Sequence, residues 1–209
     1  RTRTPDASMS VSPQGILAAH PLATNLPRNT ARWGKIHKLF APARAESRLY
    51  VGAPVAFDFS GGVKGAADST SGYTAGWGFP FHLGLGLTRI GAEGVDDAKL
   101  VTVKATYSLV DLFAWFRAWG TDLQIGYGRG NAELEPFQDA SGVRFEADEA
   151  DASQWFITAG LPLGRRFSIH LGYHSVSAES ANIRANGVDA GPFVLDGAAW
   201  SLGFQIAMN

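Results

Sequence analysis

The side chains of this chain best able to do chemistry are three histidines, His82, His170 and His174, and a run of acids between residues 129 and 153. In extended backbone His170 and His174 share a face but lie about 13 Å apart. That is too far to chelate one metal ion without a third element between them. A nucleophile would need a hydroxyl within hydrogen-bond reach of a histidine. Val176 shares the face of His174, Ser175 lies on the opposite face, and Ser177 falls one residue too far. His174 and Ser177 are therefore only an alternative catalytic pair, and the chain is expected not to be an enzyme. Glu133, Glu135, Asp139, Glu146, Asp148, Glu149 and Asp151 could attract a hard divalent cation. Glu146, Asp148, Glu149 and Asp151 are the weak candidates for that role, although the run reads more simply as a solvated loop. Cysteine is absent, which excludes thiolate sites and disulfides. The Gly-x-Gly stretches lead into no helix, and no basic stripe carries interleaved aromatics, so no cofactor and no nucleic-acid partner is expected.

The elements that must position these residues alternate with period two. From Tyr73 to Arg89 the odd positions hold Tyr73, Ala75, Trp77, Phe79, Phe81, Leu83, Leu85 and Leu87. The even positions hold Thr74, Gly76, Gly78, Pro80, His82, Gly84, Gly86 and Thr88. One face is thus bulky and apolar, the other small or polar. A soluble sheet would have to crowd all the bulky residues into one core. Lipid outside and a narrow lumen inside satisfy both faces.

The same polarity places Leu49, Val51, Ala53, Val55, Phe57 and Phe59 on one outward face, and Val101, Val103, Ala105 and Tyr107 on another. It recurs at Leu123 to Tyr127, Trp155 to Leu161 (with Phe156 as a misfit), Phe167 to Tyr173, and Trp200 to Met208. Asp58, Lys104, Gln124, Gln154 and Gln205 then face inward beside His82, His170 and His174, as a hydrogen-bonded filling. Extending the strand at 121 to 129 backwards sends Arg117 toward lipid, at a boundary that Trp115 and Trp119 would mark. No apolar run approaches the roughly 20 residues of a membrane-spanning helix, and the mean hydropathy is near zero.

Residues 1 to 47 carry seven Lys/Arg, two acids and half of the ten prolines, whereas residues 48 to 209 carry eleven Lys/Arg against seventeen acids. The expected organisation is a basic N-terminal arm, 1–47, and a barrel, 48–209. Tight turns are expected at 162 to 166 and at Ser108 to Asp111, and long loops after Arg129 and Val176. Short turns mark the periplasmic end of such a barrel. Counting back from the C-terminus places the segment around 60 to 72 there too. An even number of strands then requires one more from the arm, for which Ser8 to Leu17 is the candidate.

On these patterns the chain resembles the small bacterial outer-membrane β-barrel proteins, over about residues 48 to 209. The last strand carries the match. Such barrels close on an assembly signal of the form polar-x-Gly-x-x-apolar-x-apolar, and Ser201, Gly203, Ile206 and Met208 fit it, although the family usually ends on Phe or Trp. The resemblance implies an all-β, antiparallel transmembrane barrel of about eight strands in a Gram-negative cell envelope, with both termini periplasmic. The partners implied are outer-membrane lipid or lipopolysaccharide and the barrel assembly machinery. The arm is a candidate to bind another envelope protein. The leading functional expectation is a structural or interaction scaffold whose external loops meet lipid or envelope partners, with no wide pore. The alternatives are a hydrolase similar to the lipid A deacylases, whose His-x-Ser is not matched at His174, and a soluble lipocalin-like carrier.

Overall fold

In the computed structural model, residues 46–95, 101–139, 141–180 and 182–208 are described. Eight long strands form the wall: β1 (Ser47–Ser60), β2 (Ser69–Gly78), β3 (Leu83–Val95), β4 (Thr102–Ala118), β5 (Thr121–Leu134), β6 (Ala150–Pro162), β7 (Phe167–Ser180) and β8 (Gly197–Met208). Each pairs antiparallel with its neighbours in sequence, and β8 returns to β1 from Ser47 opposite Met208 to Phe59 opposite Gly197. The barrel is closed, which leaves no strand edge unpaired.

Two expectations about strand count give way together. Tyr73 to Arg89 is a hairpin, not one strand, with Gly78 facing Gly84 across the turn Phe79-Pro80-Phe81-His82. Five residues separate the paired Gly78 and Gly84, so cross-strand partners share parity and the bulky residues stay on odd numbers in both strands. Eight strands are thereby complete without the arm, and the candidate strand Ser8 to Leu17 lies outside the described residues. With the extra turn counted, the segment after Ser60 moves to the end of the barrel that carries the long loops, opposite to its expected place. His82 sits in this turn with a φ of 69° and its Nδ1 3.1 Å from the Trp115 carbonyl, not in the lumen beside His170 and His174.

The outward face of the half nearer the short turns is apolar. Trp77, Leu83, Leu85, Leu112, Ile125, Ile157, Leu171 and Leu202 are all exposed, and Phe79 is half-buried in its turn. Inside this half lie Asp111, Asp122, Gln124, Gln154, Thr158, His170, His174, Ser201 and Gln205, all buried. Toward the loop end the polarity reverses. Phe57, Phe59, Ile90, Val103, Tyr107, Leu109, Val176 and Leu195 form an apolar core within the barrel. Glu93, Lys104, Glu133, Asp151 and Glu179 lie on its outer surface. The wall is therefore longer than its lipid-like belt, and its upper part is built as a soluble β protein is.

This reversal corrects several placements. Val101, Val103, Ala105 and Tyr107 point inward and Lys104 outward. Ser108 to Asp111 is continuous strand inside β4, not a turn. In β1 the register slips between Pro54 and Ala56, and this bulge turns Phe57 (1% exposed) and Phe59 (5%) inward and Asp58 outward, opposite to the expected faces. Phe156, the apparent misfit, is buried with its ring stacked on His174.

Candidate functional site

Two places could carry function: the polar filling of the lower lumen, and the space among the loops above the apolar core. The filling is organised in tiers. At the short-turn end the Arg48 guanidinium stacks 4.0 Å over the Trp115 ring, and its Nη1 lies 2.9 Å from Asp122 Oδ1. Arg117 donates to the same carboxylate from Nε at 2.8 Å and from Nη2 at 3.1 Å. Arg117 is half-exposed with its charge held by a lumen acid, and Trp119 is exposed beside it, whereas Trp115, expected to mark the boundary, is buried inside the floor. Trp115 Nε1 donates to the Phe79 carbonyl at 3.1 Å, which ties this floor to the first short turn.

Above the floor Gln124 Nε2 donates to Gln205 Oε1 at 2.7 Å, while Ser168 and Thr158 hold the two nitrogens of His170 at 2.9 and 3.3 Å. The next tier is a chain. Thr88 Oγ1 and Gln154 Nε2 both donate to Asp111 at 2.6 Å. With its amide nitrogen committed to the carboxylate, Gln154 turns Oε1 to His174 Nδ1 at 3.2 Å, so Nδ1 carries the hydrogen. His174 Nε2 is then the bare nitrogen that accepts from Ser201 Oγ at 2.9 Å. A hydroxyl, a base and an orienting group are in line here, as acyl-transfer chemistry requires.

Space for a substrate is another matter. The cavity beside His174 measures about 20 Å³ and is bounded by Tyr50, Thr74, Asp111 and Phe156. That volume accommodates one water. The Tyr50 and Thr74 hydroxyls, both buried, have no hydrogen-bond partner among the described residues. The tier fills and locks the lumen.

His174 and Ser177, the alternative catalytic pair, are not brought together. Ser177 is exposed and donates to Asp196 Oδ1 at 2.7 Å on the outer side of β7. The acidic loop disperses likewise: Arg144 takes Glu146 at 2.8 Å and Arg184 takes Asp148 at 2.9 Å. Asp151 lies on the outer face of β6. No group of three potential metal ligands occurs among the described residues. Gln124, Gln154 and Gln205 fill the lumen as expected, whereas Asp58 and Lys104 do not. Ser201 faces the lumen as the alternation of the last strand predicts, whereas Arg48 and Asp111 are lumen residues that the sequence reading misses. The break in apolar parity near residue 108 was the available signal for Asp111.

The long loops fold on one another as short strands at Phe137–Gln138, Arg144–Ala147, Ile183–Ala185 and Val188–Asp189. They enclose a cavity of about 580 Å³, walled by Val63, Val101, Val103, Phe145, Ile183 and Phe193. Phe137 and Phe145 stack on its side at 5.1 Å. Its polar lip is Asp139, whose Oδ1 accepts from the Ser141 hydroxyl at 2.7 Å and from the Ser141 and Val143 amides at 2.9 Å. The Ser141 hydroxyl foremost, and those amides with it, hold the Asp139 carboxyl below the usual carboxylate range.

A closed, eight-stranded antiparallel ring with an outward apolar belt and a packed polar lumen is the architecture of the small outer-membrane barrels. Among solved structures the chain is similar to Neisserial surface protein A, with a TM-score of 0.55 at 10% identity over 77% of this chain and 96% of that one. It is also similar to the outer membrane protein OprG from Pseudomonas aeruginosa, with a TM-score of 0.50 at 12% identity over 79% and 97%. Likeness at this identity is likeness of fold. No protein-family model matches the sequence, and no curated protein does.

Proposed function

We propose that this protein is an integral barrel of the bacterial outer membrane that works through its loop end, as a binding scaffold and not as a pore or an enzyme. The observation that carries the reading is the contrast along one axis. The lower lumen is filled by hydrogen-bonded side chains, while the loop end holds an apolar cavity of about 580 Å³, within the range of small-ligand sites. Short turns gather with the strand ends Ser47 and Met208 at one end and the long loops at the other, which supports periplasmic termini and external loops. The outward belt counts against a soluble carrier. The wall's contacts are then outer-membrane lipid and, during insertion, the barrel assembly machinery. Another envelope protein, reached through the basic arm, remains part of the same proposal.

The test uses the full chain reconstituted in lipid nanodiscs. A photoreactive alkanol should label the peptides around Phe137–Phe145 and Ile183–Phe193, and Val103→Trp, which fills the cavity from its wall, should abolish that labelling. Label confined to belt residues such as Leu85 and Leu171 would show partition into lipid and no loop site. Reconstituted liposomes should show no steady conductance, and a stable open channel would overturn the closed-lumen reading.

A further inference from the structure

The outer surface just above the apolar belt is divided by charge. Going up from the belt, the first charged residue is Arg89 on β3 and Arg129 on β5, with only Ser108 and Thr106 before Lys104 on β4 between them, while β2 carries no charge below Asp68 at its upper end. On the opposite side the first charged residues are all acids: Asp151 on β6, Glu179 on β7, Asp196 before β8 and Asp58 on β1. The first charged layer above the belt is therefore cationic in one sector and anionic in the other.

Within the cationic sector Lys104 is neutralised by Glu93 at 3.2 Å, across β4 and β3. Arg89 and Arg129 are exposed and make no ion pair among the described residues. The acid nearest Arg129 in the ladder is Asp151, one diagonal step beyond its partner Ser153, and the two do not bridge. Arg89 lies opposite Ser108, and Arg129 opposite Val110, so a single strand separates them. Ladder spacing sets their Cα atoms about 12 Å apart. Ser108 offers a hydroxyl on the same surface, and the half-exposed Tyr73 and Tyr127 lie at the belt's upper edge on either flank. Tyrosine collects at that depth, where the headgroups lie.

We infer that Arg89 and Arg129 form a clamp for the phosphates of an outer-leaflet glycolipid of the lipid A type, with Ser108 as a third donor. Guanidinium is the side chain whose fork matches phosphate oxygens. Two guanidiniums one strand apart, without ion-pair partners among the described residues and with the acids of their own strands, Glu93 and Glu133, four residues further up, suit a headgroup carrying two phosphates. The acyl chains would lie along Leu87, Val110, Leu112 and Ile125 directly beneath. The inference rests on the reading of the loop end as external, since that end alone meets the outer leaflet.

The experiment reconstitutes the full chain in nanodiscs of phosphatidylcholine doped with diphosphoryl lipid A, and counts retained lipids by native mass spectrometry. Each basic residue at an anionic lipid surface is worth about fivefold, so Arg89→Gln with Arg129→Gln should lower lipid A retention about 25-fold. Asp58→Asn with Glu179→Gln, in the other sector, should leave it unchanged. Equal retention by the arginine variant and the wild type would overturn the clamp. So would displacement by millimolar inorganic phosphate, or equal retention of phosphatidylglycerol, either of which would mark a non-specific anion site. Failure of the membrane reading is separable. It would appear as loss of the heat-dependent gel shift of a folded barrel in every form of the protein, wild type included.

Discussion

His174 Nε2 lies 2.9 Å from Ser201 Oγ, on the neighbouring strand, whereas Ser177, three residues along its own strand, points out to Asp196. Across β7 and β8 Gly172 is paired with Ser201 and His174 with Ala199, so the contact is the diagonal one between inward-facing residues. The absence of a Cβ at Gly172 permits it, because an added methyl would collide with the Ser201 hydroxyl. The expected consequence is structural and not catalytic. Lipid A from cells expressing the protein should be unchanged in mass, and Ser177→Ala should change nothing. His174→Ala should cost about 1–3 kcal/mol in folding, because Ser201 and Gln154 lose a buried partner. Lipid A mass spectra beside urea unfolding in vesicles check both. Loss of an acyl chain in the wild type alone would promote the hydrolase reading.

Asp122 is the acid on which two arginines converge at the floor of the barrel. Arg48, 3% exposed and stacked on Trp115, has no other acid near it among the described contacts. Asp122→Asn keeps the shape and removes the charge, leaving a buried cation unmatched. Such losses cost about 3–5 kcal/mol. The variant should unfold at markedly lower urea, and the double variant Arg48→Met with Asp122→Leu should recover part of that loss. An unchanged midpoint for Asp122→Asn would show that Arg48 is solvated from below.

The alternation in this sequence made the barrel and the lower faces of most strands legible, because lipid outside and glycine inside leave an unusual period-two signature. It misled where an apolar residue was equated with lipid along the whole strand. In β4 the inward face runs Val103, Tyr107, Leu109, Asp111, while the outward face runs Lys104, Ser108, Val110, Leu112. The apolar parity changes sides near residue 108 with no break in the hydrogen-bond ladder. A change of surroundings, from water to lipid, looks in sequence like a turn. In β1 the opposite happened: parity stayed apolar on odd numbers, but the bulge after Pro54 turned the chain over. The His174–Ser201 pair depends on the register of the neighbouring strands β7 and β8, which the long loop between them hides in the sequence, whereas the Arg48–Asp122 pair joins β1 to β5 and closure of the barrel brings it together.

The Asp139 turn should be sensitive to acid. Its carboxyl is held below the ordinary range by hydrogen bonds from the Ser141 hydroxyl and the loop amides, so those bonds favour the folded loop fully above the ordinary carboxylate pKa. They are lost as the pH falls through the lowered folded value. Amide exchange at Ser141 and Val143 should therefore quicken, relative to the intrinsic rate, only in strongly acidic buffer. Asp139→Asn should weaken the turn at neutral pH. Exchange that responds near neutrality would mean that another group controls the lip of the cavity.

The last strand tests whether its resemblance to an assembly signal is functional. Ser201 and Gly203 face inward, where Ser201 holds His174 and a side chain at Gly203 would collide with the Tyr50 ring. Replacing either would therefore disturb packing as well as recognition, and neither isolates assembly. Ile206 is 37% exposed on the outer face, and Met208 is half-buried at the strand's end, opposite Ser47. Asp at these two positions leaves the lumen intact. It does place carboxylates on the wall near the turn-end boundary, where charge costs only about 0–1 kcal/mol each. So small a penalty would not unfold a finished barrel. Ile206→Asp with Met208→Asp should accordingly refold in detergent with the normal heat-dependent gel shift, yet fail to accumulate in the outer membrane of expressing cells. Normal accumulation in cells would reduce the C-terminal match to a property of any membrane strand, and failure to refold in detergent would make its role one of stability instead.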